Sequence, residues 1–290
     1  MTAPVFARIA SLPPLLLAFA AVLLWSMLAA MGLKLRGMPP FLLVGAALLI
    51  GSLVSVHRIR EWRAPWKVVA LGVYGLFAYH LALFVALRNA PAVEANLINY
   101  LWPLLIVVLT PLFMRDKRLT ARHAIAALLG FGGAALLVTG GKFAFEWRYA
   151  TGYALALGAA LIWSTYSLAT SRLGSMPTAM VGLFCAVSGV LALACHALFE
   201  PHYAIASADW PWLIALGLGP MGLAFFAWDA ALKRGDPRSI GLLSYLTPLL
   251  STLVLAAGGG TLTGLTLVAM MLILGGALLG SWQAKNAPRS

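Results

Sequence analysis

The sequence Asn-Tyr-Leu-Trp-Pro-Leu-Leu at residues 99–105 recurs, with two changes, as Ser-Tyr-Leu-Thr-Pro-Leu-Leu at residues 244–250. A tyrosine and a proline at fixed spacing are hard to obtain twice by chance, even in an apolar chain. The two copies lie 145 residues apart in a chain of 290, so each occupies the same place in one half. The motif therefore predicts a fold built from two related halves.

Other short matches follow in the same order along the chain. Leu-Leu-Trp-Ser at residues 23–26 recurs as Leu-Ile-Trp-Ser at 161–164, and Ala-Leu-Gly at 70–72 recurs at 215–217. The offset between matching residues changes only from 138 to 145. We therefore predict two repeats, residues 1–145 and 146–290.

Each half consists of apolar runs long enough to cross a bilayer. Hydrophobic residues make up 62% of the chain and charged residues 10%, which excludes a disordered chain, a coiled coil and almost any soluble enzyme. A membrane-spanning helix needs roughly 20 apolar residues. The ten predicted spans are residues 12–35, 40–57, 66–88, 92–114, 121–141, 150–173, 177–199, 208–233, 238–258 and 262–284. The second run is short and the last is weakly delimited, so nine spans is the alternative.

A repeat of five helices has an odd number of crossings, so its second copy must enter the membrane from the opposite side. Inverted repeats are typical of secondary transporters, in which two near-equivalent packings open one central site to either side of the membrane. The expected fold is all-α, with ten transmembrane helices in two inverted five-helix repeats around a central cavity. Such a transporter works by alternating access and needs no ATP.

The lysines and arginines are divided unevenly between the two ends of the predicted helices. If the N-terminus is inside, the outer loops hold five of them and the inner segments hold fifteen. The inner residues are Arg8, Arg58, Arg60, Arg63, Lys67, Arg115, Lys117, Arg118, Arg122, Arg172, Lys233, Arg234, Arg238, Lys285 and Arg289. Cytoplasmic loops are enriched in Lys and Arg. Both termini are therefore predicted to be cytoplasmic, and the net charge of +12 does not indicate a nucleic-acid partner.

Polar residues inside the fourth and ninth helices are candidates for the substrate site. Asn96, Asn99, Tyr100 and Pro103 are spaced by three and four residues, which places them on one helix face. Their repeat mates are Gly241, Ser244, Tyr245 and Pro248. A proline within a helix bends it and frees backbone carbonyls, which could accept a substrate ammonium. The alternative is an interhelical hydrogen-bonding face with an ordinary membrane kink.

Aromatic and ionisable residues near the middle of other helices complete the set. Trp25 and Trp163 are repeat mates that offer broad apolar faces. Asp229 is the only acidic residue deep in a predicted span, where it would relay a proton, hold a cation or pair with nearby Lys233. The predicted substrate-binding residues are Trp25, Tyr79, His80, Phe84, Asn96, Asn99, Tyr100, Trp163, Ser164, Trp228, Asp229, Ser244 and Tyr245, with hinges at Pro103 and Pro248.

Several kinds of chemistry have no support in the sequence. No phosphate-binding loop, metal-binding His/Cys cluster or catalytic Ser/His/Asp set at one depth is found. We therefore predict no catalytic residues, no metal and no cofactor. Lysine and arginine are missing from the middle of the spans, so a phosphorylated substrate would find no charged partner.

Taken together, these features resemble the EamA-type transporters of the drug/metabolite transporter superfamily. Within that group, the sequence at 99–104 is most similar to the bacterial aromatic amino-acid exporters of the YddG type. The resemblance implies an inner-membrane exporter of Phe, Tyr, Trp and related amino acids. It also implies a cavity formed by helices one, three, four, six, eight and nine.

The interpretation of the residues is compatible with this resemblance. A zwitterion needs no full counter-charge, because side-chain amides and the ends of broken helices can hold both of its charged groups. The expected partners are a small-molecule substrate and the bilayer, with the chain taken as a monomer. The alternatives are a transporter of the same fold for an aliphatic amino acid, another metabolite or a lipophilic drug, a membrane enzyme, and a structural or sensory protein.

Overall fold

The computed structural model describes residues 12–142, 145–257 and 263–281. Within these ranges the chain is all-helical, and no residue of them lies in a β-strand. The two termini that the lysine and arginine count assigns to the cytoplasm lie outside the described residues.

Nine of the described helices are long and apolar enough to cross a membrane. They are α1 Pro14–Lys34, α2 Pro40–Glu61, α3 Trp66–Asn89, α4 Ala92–Phe113, α5 Ala121–Thr139, α6 Trp147–Ser171, α7 Thr178–Phe199, α8 Trp210–Leu232 and α9 Pro237–Ala257. A shorter apolar helix, α10, follows at Gly264–Ser281. The prediction of an all-helical chain with many membrane spans is confirmed. A tenth crossing stays a prediction, because the run predicted at 262–284 extends beyond the described residues.

Prolines and one glycine determine where several helices begin and end. Pro14, Pro40 and Pro237 occupy the first turns of α1, α2 and α9, where a missing N–H breaks no helical hydrogen bond. Gly140 ends α5 with a φ of 60°, a left-handed conformation that glycine adopts without a steric penalty.

The helices are interrupted at recurring places. A π-helical turn at Tyr74–Ala78 divides α3, and another at Gly219–Leu223 divides α8. The α-helical part of α2 ends at Ser52 and continues as a 3-10 helix, Leu53–Glu61. In α1 the regular helix is broken at Met27.

The breaks in α4 and α9 lie at the two copies of the repeated motif. Helix α4 consists of Ala92–Asn99 and Trp102–Phe113, and α9 consists of Pro237–Leu243 and Leu246–Ala257. In each helix the motif proline lies in the first turn of the second segment and has no N–H to bond to the segment before it. The predicted kinks therefore take the form of breaks.

The segments of the broken helices pack unequally on the two sides of these breaks. Pro237–Leu243 packs against Trp102–Phe113, and Gly241 allows this because a Cβ there would lie 3.1 Å from Ile106 Cγ2. Among the described residues, no comparable packing joins Ala92–Asn99 to Leu246–Ala257. The bundle is therefore closed on one side of the breaks and open on the other.

Candidate functional site

A cavity of about 540 Å³ occupies the open side of the bundle. It is lined by residues of α1 to α6, α8 and α9, which include the six helices that the resemblance implies and add α2 and α5. Every lining residue lies near the middle of its helix or in the half nearest the loops 35–39, 90–91 and 200–209. The cavity is therefore one-sided.

Four aromatic side chains form the end of the cavity near the middle of the bundle, and we call them the aromatic floor: Trp25, Trp102, Trp163 and Phe225. The ring centroids of Trp25 lie 6.3 Å from Trp102 and 5.8 Å from Trp163, in edge-on orientations. The centroid of Phe225 is 5.6 Å from that of Trp163. These are favourable aromatic pair geometries. Trp25 Nε1 donates to the carbonyl of Pro220 at 3.1 Å, which fixes the indole against the π-turn of α8.

The wall above the floor carries the predicted polar residues of α3 and α4. Asn99 Nδ2 donates to the Tyr79 hydroxyl at 3.2 Å, and the Tyr79 ring lies 5.4 Å from that of Trp163. His80 Nδ1 donates to the carbonyl of Leu76 at 2.5 Å. Its ring lies 6.1 Å from that of Phe84. The side chains of Tyr79, His80, Phe84 and Asn99 thus form one continuous polar and aromatic wall.

The opposite wall comes from the second segment of α9. It presents Thr247, Pro248, Ser251 and Thr252 to the cavity. Lysine, arginine, aspartate and glutamate are absent from the described residues that line the cavity. The wall therefore has hydrogen-bonding groups but no carboxylate, ammonium or guanidinium group.

The structure brings nine of the predicted residues together in the lining of the cavity. They are Trp25, Tyr79, His80, Phe84, Asn96, Asn99, Tyr100 and Trp163, together with the predicted hinge Pro248. The other six, Ser164, Trp228, Asp229, Ser244, Tyr245 and Pro103, do not line the cavity.

Ser164 and Trp228 support the aromatic floor from behind. The Ser164 hydroxyl lies 2.9 Å from the carbonyl of Trp102 and 2.6 Å from that of Ala160. Trp228 Nε1 donates to the Ser167 hydroxyl at 3.1 Å, and its ring centroid lies 5.1 Å from that of Trp25. Both side chains are buried, so they position the floor and do not face the cavity.

Asp229 belongs to the closed side of the bundle. Its Oδ2 lies 2.7 Å from Lys233 Nζ; the Asp229 side chain is 4% exposed and that of Lys233 is 9% exposed. The sequence left three roles open for Asp229: proton relay, cation binding and pairing with Lys233. The contact in the structure is the third of these, an ion pair near the end of the helix.

Ser244 and Tyr245 also point away from the cavity. The Ser244 hydroxyl donates to the carbonyl of Ile240 at 3.2 Å. The Tyr245 ring packs with Leu249 of α9 and Ile273 of α10, and a Cβ on Gly130 would overlap it. The repeat mates of Asn99 and Tyr100 therefore serve packing.

Three cavity residues that shape the site were missing from the predicted set: Trp102, Phe225 and Thr247. Trp102 follows Asn99 by three residues, so the helical spacing could have found it. Thr247 is the repeat mate of Trp102 at the offset of 145, so the repeat could have identified Thr247 once Trp102 was included. Phe225 carries no signal that separates it from the other apolar residues of α8.

Polar contacts join the helices on the closed side. Lys233 Nζ donates to the carbonyl of Met176 at 3.0 Å. Arg238 Nη1 donates to the carbonyl of Arg118 at 2.5 Å, and its guanidinium pairs with Asp236. Burial raises the pKa of the Asp236 carboxyl, but hydrogen bonds and charge from Arg238, with the charge of Lys117, bring the pKa below its usual value.

Glu200 connects three helices on the open side. Its carboxylate accepts from the backbone N–H groups of Phe41 and Leu42, at 3.0 and 3.2 Å, in the first turn of α2. Arg88 Nη2 at the end of α3 lies 3.3 Å away, and His196 Nδ1 of α7 lies 3.0 Å away. A negative charge at a helix N-terminus is stabilising, so this buried carboxylate holds α2, α3 and α7 together beside the cavity.

Comparisons with known proteins identify relatives along most of the chain. A model of the EamA-like transporter family matches residues 12–139 and 150–282. The aromatic amino acid exporter YddG of Ancylobacter novellus is 43% identical over 227 residues, which cover 77% of this chain and 79% of that protein. A probable terminal-alkyne amino-acid exporter of Streptantibioticus cattleyicolor is 27% identical over 67% of this chain and 65% of its own. A solved crystal structure aligns with a TM-score of 0.89 and 41% identity, covering 92% of this chain and 95% of its own.

Proposed function

The chain belongs to the EamA-like transporter family, and from that premise we propose that it exports aromatic and related neutral amino acids across the bacterial inner membrane. The membership confirms the resemblance inferred from the sequence motifs, and it makes the chain a transporter and not an enzyme. Members in Ancylobacter novellus and Salmonella typhimurium bear the name of aromatic amino acid exporters.

The observation that carries the proposed substrate class is the aromatic floor beneath an uncharged wall. Trp25, Trp102 and Trp163 present three indoles to one cavity, and each favourable ring contact contributes on the order of 1 kcal/mol beyond simple burial. Among the described residues of the cavity lining, a substrate with a full net charge would find no opposite charge. A zwitterion with an aromatic side chain fits both features.

The proposed topology has ten crossings in two inverted repeats, with both termini in the cytoplasm. The recurrence of a π-turn in α3 and α8, and of a break in α4 and α9, supports two equivalent halves. The family model also matches the chain twice. In this orientation the cavity opens toward the periplasm, because the loops beside it are poor in lysine and arginine.

The proposed mechanism is alternating access by rocking of the two halves. Pro237–Leu243 packs against Trp102–Phe113 on the closed side, whereas Ala92–Asn99 and Leu246–Ala257 flank the cavity. The opposite state would reverse this arrangement, with the breaks beside Pro103 and Pro248 acting as hinges. Release of substrate to the periplasm from the present state requires no energy source other than the substrate gradient or a coupled ion.

Counterflow in proteoliposomes tests the proposed function. Purified protein is reconstituted with unlabelled phenylalanine inside, and uptake of labelled phenylalanine is followed against unlabelled competitors, with protein-free liposomes as the blank. We expect tryptophan and tyrosine to compete, and alanine and sugars not to compete. Exchange of threonine, another metabolite or a lipophilic drug, with none of phenylalanine, would contradict the aromatic specificity and favour another substrate for the same fold.

A further inference from the structure

Among the residues that the structure describes, two polar atoms on the cavity wall are buried without a hydrogen-bond partner: Asn99 Oδ1 and Thr247 Oγ1. The residues are only 7% and 8% exposed. A buried polar atom with no partner costs about 1–3 kcal/mol, so its retention beside a cavity indicates that a ligand supplies the missing partner. The two atoms come from different helices, α4 and α9, on the wall of the same cavity.

The break in α9 explains why the Thr247 hydroxyl is free. Hydroxyls in membrane helices usually donate to a carbonyl one turn back along their own helix. Thr110 does so to Ile106 at 2.6 Å, and Thr252 does so to Pro248 at 2.8 Å. Thr247 is the second residue of its segment, and the break before Leu246 removes the regular helical turn behind it. Its hydroxyl is therefore available to the cavity.

We propose that Thr247 and Asn99 form the polar end of the substrate site, where the Thr247 hydroxyl donates to the substrate α-carboxylate and Asn99 Oδ1 accepts from the α-ammonium. This inference rests on the proposed export of amino acids and deepens it. It assigns a binding role to Thr247 and separates the two ends of the ligand, with the zwitterion held by α4 and α9 and the side chain held by the aromatic floor.

The assignment of each group follows from what each atom can do. An amide oxygen only accepts hydrogen bonds, so Asn99 Oδ1 suits an ammonium with its three donors. The Asn99 amide is oriented by its other atom, since Nδ2 already donates to the Tyr79 hydroxyl. A hydroxyl can donate, and an ionised carboxylate can only accept. Hydrogen bonds of this kind are charge-assisted and stronger than neutral ones.

A pair of isosteric substitutions tests the assignment of Thr247. Thr247→Val removes the free hydroxyl. Thr110→Val is the matched control, because the buried Thr110 hydroxyl is bonded to its own helix and Thr110 does not line the cavity. In the counterflow assay the concentration of phenylalanine that halves uptake is measured for each protein. We expect Thr247→Val to raise it roughly tenfold or more, as the loss of a charge-assisted hydrogen bond implies. Thr110→Val should leave it within about twofold, and Thr247→Ser, which keeps the hydroxyl, should keep it near the wild-type value.

Phenylalaninol identifies which end of the substrate Thr247 binds. This compound keeps the ring and the ammonium but has a hydroxymethyl group where phenylalanine has its carboxylate. The wild type is expected to prefer phenylalanine, and Thr247→Val is expected to lose most of that preference. Asn99→Leu, by contrast, weakens phenylalanine and phenylalaninol alike, because both carry the ammonium.

The outcomes separate this inference from the proposed function. Wild-type exchange of phenylalanine with an unchanged preference over phenylalaninol in Thr247→Val would overturn the role of Thr247 and leave the exporter intact. Equal losses in Thr247→Val and Thr110→Val would overturn it as well, because both would then act only through packing. Absence of phenylalanine exchange in the wild type would overturn both proposals.

Discussion

Lys233 Nζ, just beyond the end of α8, lies 2.7 Å from Oδ2 of Asp229, one helical turn earlier, and the two side chains are only 9% and 4% exposed. Lys233 also donates to the carbonyl of Met176, which precedes α7. The pair therefore joins two helices on the side of the bundle opposite the cavity. A buried ion pair is costly to assemble, and removal of one partner leaves an uncompensated charge.

We expect Asp229→Leu alone to lower the free energy of unfolding by about 3–5 kcal/mol, the usual cost of breaking a buried pair. The double variant Asp229→Leu with Lys233→Met is expected to recover most of that loss, since no charge is then buried alone. Thermal unfolding of the purified proteins in detergent measures both. A double variant less stable than the single one would contradict the ion-pair role.

Trp163 is expected to contribute to substrate binding through the aromatic floor. Trp163→Ala removes a ring that contacts Trp25, Tyr79 and Phe225, and it should weaken phenylalanine binding roughly tenfold. Trp163→Phe retains an aromatic face and should lose less. Trp66, which is 74% exposed, supplies the control variant Trp66→Ala in the same competition assay. Equal affinities in Trp163→Ala and the wild type would exclude the floor as the side-chain site.

Glu200 is expected to stabilise the open side of the bundle. Glu200→Gln keeps the size of the side chain but loses its charge toward Arg88 and the first turn of α2. The expected loss of stability is about 1–3 kcal/mol, because charge-assisted hydrogen bonds become neutral ones. Glu146→Gln, at a side chain that is half exposed, should change the unfolding temperature little. A larger effect at Glu146 than at Glu200 would refute this assignment.

Replacement of Gly75 by alanine is expected to destabilise the fold, because α3 and α6 approach closely there. A Cβ at Gly75 would overlap the ring of Tyr166, and overpacking of this kind costs about 1–3 kcal/mol. Gly158 of α6 has nothing within 4 Å of an added Cβ, so Gly158→Ala is the matched control. Thermal unfolding should separate the two variants. A Gly75→Ala protein as stable as the control would mean that the helices adjust freely.

Asp236 leads to a prediction for acidic pH. The pKa of its carboxyl is lower in the folded protein than its usual value, which is about 3.9 in unfolded chains. The ionised carboxylate therefore stabilises the fold above about pH 4, and this contribution is lost as the pH falls through the folded pKa. Asp236→Asn should lower the unfolding temperature at pH 7, and its difference from the wild type should shrink below about pH 4.

The control for the effect at Asp236 is Asp116→Asn. The Asp116 side chain is largely exposed, and its Oδ2 lies 3.7 Å from Lys117 Nζ. This variant should show little difference from the wild type at either pH. If the difference between Asp236→Asn and the wild type grew as the pH fell, the carboxylate would not be the stabilising form.

Local features of the sequence predicted the helices and much of the cavity wall. Run lengths and prolines placed the helix bounds within a few residues, because both act within a single segment. The repeated motif predicted where α4 and α9 are interrupted, because the effect of a proline also acts within a single segment. Asn96, Asn99 and Tyr100 were found because polar residues in an apolar helix need partners, which marks them without knowledge of the neighbours.

The tertiary structure alone decided which side chains face the cavity. Trp228 and Phe225 lie one turn apart on α8, yet Trp228 lies behind the floor and Phe225 is part of it. Helix α8 carries apolar residues on all of its faces, so its sequence does not indicate which face meets the cavity. That choice depends on residues distant in the chain, such as Ser167, which binds the Trp228 indole. The tertiary structure also decided that the cavity is one-sided. In the proposed topology of two inverted repeats, two nearly equivalent packings are possible, and the local sequence is the same in both.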